Sequence, residues 1–175
     1  MKRIFPILLG SLLMAAPIQG QEKPLPSLYS TGIWDADSLG NHRVVVSVDQ
    51  PSDAVMAIIQ WRRKDLNPEN KDLIVIDAKT GKRVTNVCRF QISREKGEVV
   101  FQPQTAPGDY YIYYLKNIST GSKYYPTVTY PGFEETASAE WKKANRLTEK
   151  KAPELPLATV KQFQAINEFH SFYPM

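Results

Sequence analysis

One cysteine, Cys88, and two histidines, His42 and His170, are all that these 175 residues hold of the side chains most used in thiol chemistry and transition-metal binding. A single cysteine excludes an internal disulfide. Cys88 lies in the strand-like run Val84–Phe90, with no histidine beside it and no helix start to lower its pKa, so a small buried apolar role is expected rather than a reactive thiol. The histidines are far apart, and neither has a His, Cys or carboxylate at ligand spacing; no metal and no cofactor is expected. Also missing are a Gly-x-Ser-x-Gly nucleophile turn, a phosphate-cradling glycine loop and a Cys-x-x-Cys pair. Charge of one sign is scarce too. Lys and Arg outnumber Asp and Glu by only four, and Lys2 and Arg3 account for two of that surplus. The largest basic cluster is Arg62-Arg63-Lys64, which is no nucleic-acid footprint.

What is present begins with an export signal. Lys2 and Arg3 precede the apolar stretch Ile4–Ile18, Gly20 offers a small residue at a cut, and Gln21-Glu22-Lys23 turns polar at once. That is the three-part pattern of a secretory signal peptide over residues 1–20. The stretch is short for a spanning helix and contains Pro6 and Pro17, which speaks against an anchor and predicts no membrane span in the mature chain. The expected location is the periplasm, the cell surface or the medium.

Residues 21–33, with Pro24 and Pro26, read as an extended leader. Residues 34–133 carry short β-rich runs divided by turn signals: Arg43–Val48, Ala54–Trp61, Asp72–Asp77, Arg83–Ile92, Glu98–Gln102, Tyr110–Leu115 and Tyr124–Tyr130. Gly81 in Ala78–Lys82 suits a tight turn, predicting a hairpin between the third and fourth runs. Pro126 demotes the last run to an edge, and polar Arg62–Lys71, with Pro68 inside it, reads as a loop. The gaps are too short for helical crossovers, so an antiparallel, immunoglobulin-like β-sandwich is expected. Residues 134–175 read as helical. Glu134–Lys151 is charged, and Thr159–His170 places Val160, Phe163, Ile166 and Phe169 at intervals of three behind the capping-box spacing Thr159–Gln162. With Phe172, that stripe forms a candidate domain interface.

No pair of groups suited to acid–base or nucleophilic catalysis stands out. Asp35 and Asp37 would share a face on a strand but lie in ordinary turn sequence beside Ser38-Leu39-Gly40-Asn41. Glu134 and Glu135 are adjacent and would not face each other on a helix. Asn117-Ile118-Ser119 fits the glycosylation sequon, a pattern common by chance. The aromatic residues are more suggestive. Tyr110-Tyr111 and Tyr113-Tyr114 put rings on both faces of one strand, and Tyr124, Tyr125 and Tyr130 follow. Trp61, Arg62, Tyr111 and Tyr113 are candidate glycan-binding residues, by ring stacking and forked guanidinium donors. Half of such rings must instead fill the core of a sandwich.

Together these segments resemble the N-terminal region of secreted bacterial glycoside hydrolases of family 123 type. The residues that carry the resemblance are Gly40–Val46, Ile59–Lys71, Val99–Pro103, Pro107–Tyr114 and Phe169–Met175, in that order. The resemblance implies a β-sandwich ahead of a (β/α)₈ barrel that acts as an N-acetylhexosaminidase, with an Asp–Glu pair assisting the substrate's own acetamido group. Those carboxylates belong to the barrel, so no catalytic residue is carried onto this chain. The expected partner is a catalytic barrel from the same or an adjacent reading frame, which would make the chain a truncated gene product; a glycan is a further expected ligand. The alternatives are a free-standing carbohydrate-binding module or a protein-interaction sandwich.

Overall fold

The computed structural model describes residues 28–61, 67–114, 118–122, 124–148 and 153–166. The expected signal peptide, Arg62, Asn117, Phe169, His170 and Phe172 lie outside them. Among the described residues ten strands account for most of the regular structure. They are β1 (Tyr29–Thr31), β2 (His42–Val48), β3 (Val55–Ile59), β4 (Leu73–Asp77), β5 (Val87–Ile92), β6 (Gly97–Phe101), β7 (Gly108–Tyr114), β8 (Ile118–Ser122), β9 (Tyr125–Thr129) and β10 (Leu157–Ala165). Two short helices, α1 (Ala36–Leu39) and α2 (Ala139–Ala144), complete the set, with a 3₁₀ turn at Pro68–Asn70.

Alternation builds the strands. In β2, Val44, Val46 and Val48 are buried in one core while Arg43, Val45 and Ser47 take the opposite face. In β7, Tyr110, Ile112 and Tyr114 enter that core, and Asp109, Tyr111 and Tyr113 point away. Tyr110 is wholly buried, and its hydroxyl donates to the Thr105 carbonyl and accepts from the Thr105 N–H at 2.7 and 2.6 Å. A tyrosine bonded back to upstream backbone in this way is a corner device of Greek-key β-folds.

The expected mainly β fold is present, but its strands join into one mixed, nearly closed, barrel-like sheet, ordered β4-β7-β2-β10-β3-β6-β5. Five neighbouring pairs are antiparallel, and β10 runs parallel to β3. One side of β10 pairs with β2. The other is shared by β3, at Leu157 and Ala158, and by β1, at Phe163–Ala165, also in parallel. The remaining gap, between β4 and β5, is bridged without a ladder. A single β-bridge joins Ile76 and Arg83, and the Arg89 guanidinium donates to the carbonyls of Glu69 and Lys71.

Three expectations are corrected here. The expected hairpin of the third and fourth runs reduces to that one bridge, because β4 pairs with β7 and β5 with β6. The expected helix Thr159–His170 is strand β10 as far as Ala165. The register of β10 against β2 slips between Val160 and Gln162, and this bulge brings Val160 and Phe163 to the same face of a strand. A helical interval of three therefore arose from a period of two plus one extra residue. Among the described residues of the charged stretch Glu134–Lys151, six form a helix, α2, capped by the Ser138 hydroxyl, which accepts from the Trp141 N–H.

Trp141 and Leu147, with Ala137, cover the outward residues Ala54, Met56 and Val100 in a second apolar cluster. The Trp141 indole N–H donates to the Asp53 carbonyl at 2.9 Å. The outer face of the β3-β6-β5 half is thus sealed by the chain itself. The outer face of the β4-β7-β2-β10 half is where Tyr111, Tyr113 and Arg43 lie.

Candidate functional site

Of the sequence-predicted glycan residues, Arg62 lies outside the described residues, Tyr111 and Tyr113 are neighbours with ring centres 6.3 Å apart, and Trp61 lies elsewhere, in the core. Trp61 is buried, its indole N–H donates to the Ser93 carbonyl at 2.8 Å, and its ring meets Tyr114 edge-on at 4.8 Å. A Trp with its ring in the core and its donor satisfied has no free face for a ligand. Tyr113 is buried as well, while Tyr111 is half-buried. Of the expected interface stripe, Phe163 is buried and Val160 packs against the same barrel core. These two side chains face inward because β10 is an interior strand, not a surface helix. Ile166, at the end of β10, is half-buried.

Tyr111 and Tyr113 belong to an aromatic cradle built around Arg43. The register sets Arg43 opposite Tyr113 on one side and Gln164 on the other. Its Nε donates to Gln164 Oε1 at 2.6 Å, and Nη1 donates to the Tyr113 hydroxyl at 2.7 Å. The guanidinium lies 3.9 Å from the Tyr111 ring centre and 4.5 Å from that of Trp34. The Trp34 indole N–H is spent on the Gly40 carbonyl. Gly32 passes so close to Trp34 that a Cβ there would lie 2.6 Å from the ring. The cradle therefore latches the segment after β1 onto the sheet, using cation–π contacts and two hydrogen bonds. Arg43, Trp34 and Gln164 were not singled out from sequence; the visible signal was an arginine beginning a β-branched run opposite a Tyr alternation.

The second polar–aromatic cluster lies on the β4–β5 seam. Arg89 stacks 3.4 Å from the Phe133 ring centre, and the Lys71 ammonium lies 5.5 Å from that of Tyr130. Burial of Asp72 raises its carboxyl above the ordinary range against the pull of Arg83 and Arg89. Burial likewise draws the Arg89 guanidinium down, against nearby Asp72. These charges hold the seam together; they present no acid–base pair to a common cavity.

The acidic pairs noted in the sequence serve structural contacts. Asp35 caps α1, accepting from the Asp37 N–H and the Ser38 hydroxyl, so Asp35 and Asp37 are not a strand-borne pair. Glu135 accepts from the Ala137 N–H and from Lys142. Half-buried Cys88 sits beside the Trp141 cluster, where burial and the charge of Glu135 push its thiol up. Among the described residues no three His, Cys, Asp or Glu side chains are grouped to hold a metal ion, and no helix is long and apolar enough to cross a membrane.

Among the described residues, the most exposed aromatic rings are on neither cluster. They are Tyr124 and Tyr125, 84% and 83% accessible, at the turn of the separate two-stranded ribbon β8–β9. The Tyr125 N–H donates to the Ser122 hydroxyl across that turn at 3.2 Å.

Residues 32–166 match the family of the glycoside hydrolase 123 N-terminal domain. No curated protein and no solved structure matches the chain.

Proposed function

The chain belongs to the glycoside hydrolase 123 N-terminal domain family, and we propose that it is the non-catalytic accessory domain of an exported N-acetylhexosaminidase-like glycoside hydrolase. Its partner is a catalytic (β/α)₈ barrel encoded in the same or an adjacent reading frame. One observation carries the reading: the two ends of the family match lie side by side at the edge of the β1–β10 pairing. Gly32, where the match begins, donates its N–H to Ala165, and Ile166, where it ends, donates to Asn41. A module whose entry and exit lie side by side can be joined to a second domain without disturbing its own core.

The immunoglobulin-like description suits this reading as well. The curled sheet can be taken as two half-sheets facing across one core, with β10 passing from one to the other and Tyr110 marking the corner. Export follows from the Lys2–Gly20 pattern and is checked by N-terminal sequencing of protein recovered outside the cytoplasm.

The test of the accessory role has two parts. The chain alone should leave chromogenic N-acetylhexosaminides intact. Sequencing past the Met175 codon should then reveal a barrel with an adjacent Asp–Glu pair, in frame or in a neighbouring frame. Turnover by the chain alone, or unrelated sequence downstream, would overturn the proposal.

A further inference from the structure

We propose that the β8–β9 ribbon is a saccharide-contacting arm, with Tyr125 and Tyr124 as its stacking surface. The choice of a saccharide as ligand rests on the family reading above; the location rests on the ribbon itself.

The pairing of the two strands defines a face. Ser122 lies directly opposite Tyr125, and Thr120 opposite Thr127. Directly paired residues project to the same side, so one face presents a phenol ring followed by a row of small hydroxyls. All four side chains are exposed. Ring and outermost hydroxyl pair are two residues apart, about 7 Å along the strand. Tyr124 adds a second ring at the turn.

This composition is not explained by folding. Tyr124 and Tyr125 belong to neither apolar cluster. A two-stranded ribbon is marginal by itself, so two large exposed rings at its end are a liability unless they meet a ligand. Tyrosine with Ser, Thr and Gly is also the chemistry of evolved binding loops. The ring supplies rigid amphipathic area at low entropic cost, and the hydroxyls adapt as donors or acceptors.

Charge favours a sugar as well. The chain has 18 acidic residues in 175, yet none falls between Asp109 and Glu134. The ribbon thus offers hydroxyls and rings, with Lys123 its one charged residue by sequence and no carboxylate to repel an acidic sugar. A pyranose, with one apolar face and a rim of hydroxyls, matches a ring beside a hydroxyl row.

The experiment is a titration of the full chain with oligosaccharides bearing a terminal β-linked N-acetylhexosamine, and with maltotriose for comparison, followed by calorimetry and by amide NMR. Wild type should bind the former, with the largest shifts at Thr120, Ser122, Tyr125 and Thr127. Tyr124→Ala and Tyr125→Ala should each weaken binding about ten-fold with an unchanged urea midpoint. Leu157→Ala, also an exposed large apolar side chain but on β10, should change nothing. Absence of binding by wild type overturns the arm and leaves the accessory-domain reading standing. Binding that both Tyr variants retain, or shifts confined to the Arg43 cradle, also overturns it. Loss of association with the catalytic barrel, with saccharide binding intact, would make the ribbon a protein-docking element instead.

Discussion

At the residue scale, a few side chains are fixed by more than one constraint. Trp61 is held by its hydrogen bond to Ser93 and its contact with Tyr114, and it lies flat over Gly97, where a Cβ would overlap the indole. Gly97→Ala should therefore cost about 1–3 kcal/mol by overpacking, and Trp61→Ala about 3–5 kcal/mol by leaving a cavity. Urea unfolding of both variants checks the pair; a neutral Gly97→Ala would mean that the indole can move aside. The buried carboxylates make opposite predictions. Burial alone would raise Asp77, but the Thr105 side chain and the Thr80 and Lys79 N–H groups outweigh it and hold the carboxyl below its ordinary 3.8. Its stabilisation is present above pH 3.8 and is lost as pH falls through the lower folded value. Asp72 is raised, so its contribution is fully present below pH 3.8 and is lost as pH rises through the higher folded value. Asp72→Asn should thus gain stability relative to wild type from mildly acidic pH upward, and Asp77→Asn should lose it there. Urea midpoints measured between pH 3 and 8 decide both signs.

At the scale of elements, β10 shows what a linear sequence conceals. Its bulge lets Lys161 pair with Asp109 on the surface at 2.9 Å while Val160 and Phe163 both reach the core. Deleting Lys161 would restore plain alternation, with Gln162 outward and Phe163 still inward. That deletion should change stability by no more than about 1 kcal/mol, since it removes only a surface ion pair. Phe163→Ala should cost about 3–5 kcal/mol. A Lys161 deletion as damaging as Phe163→Ala would refute the bulge. Strands formed by short β-rich or apolar runs with turn-forming ends were legible from sequence: β2, β3, β4, β6 and β7 fall within or overlap the runs read there. β10 was not, because a bulge and a helix give the same interval of apolar residues. Among the site candidates, the burial of Trp61 and Tyr113 was hidden for a related reason. Alternation tells which residues share a face, but only the covering segments, α2 on one half and Trp34 on the other, decide which face meets water.

For the whole molecule, closure depends on one side chain more than on a ladder. Arg89 spans the seam with two donated hydrogen bonds at 2.7 and 2.5 Å and is roofed by Phe133. Arg89→Met keeps the aliphatic stem and removes the donors, so it should cost about 2 kcal/mol. It should also raise hydrogen exchange along the facing edges of β4 and β5 while leaving β2 and β6 protected. Uniform exchange across all four strands would show that the seam opens only with global unfolding.

The central place of β10 carries a consequence for biogenesis. This strand is the last of the sheet to leave the ribosome, yet it separates β2 from β3. Until residue 165 emerges, the two halves have no shared strand, and each exposes an unpaired inner edge. The sheet stays unfinished until residue 165 has emerged, with pairings that close only over long sequence separations. Under the export proposed above, this delay is an advantage, because late closure keeps the polypeptide thin enough to pass. The same delay leaves any prematurely terminated product with two sticky edges for proteases and chaperones to find.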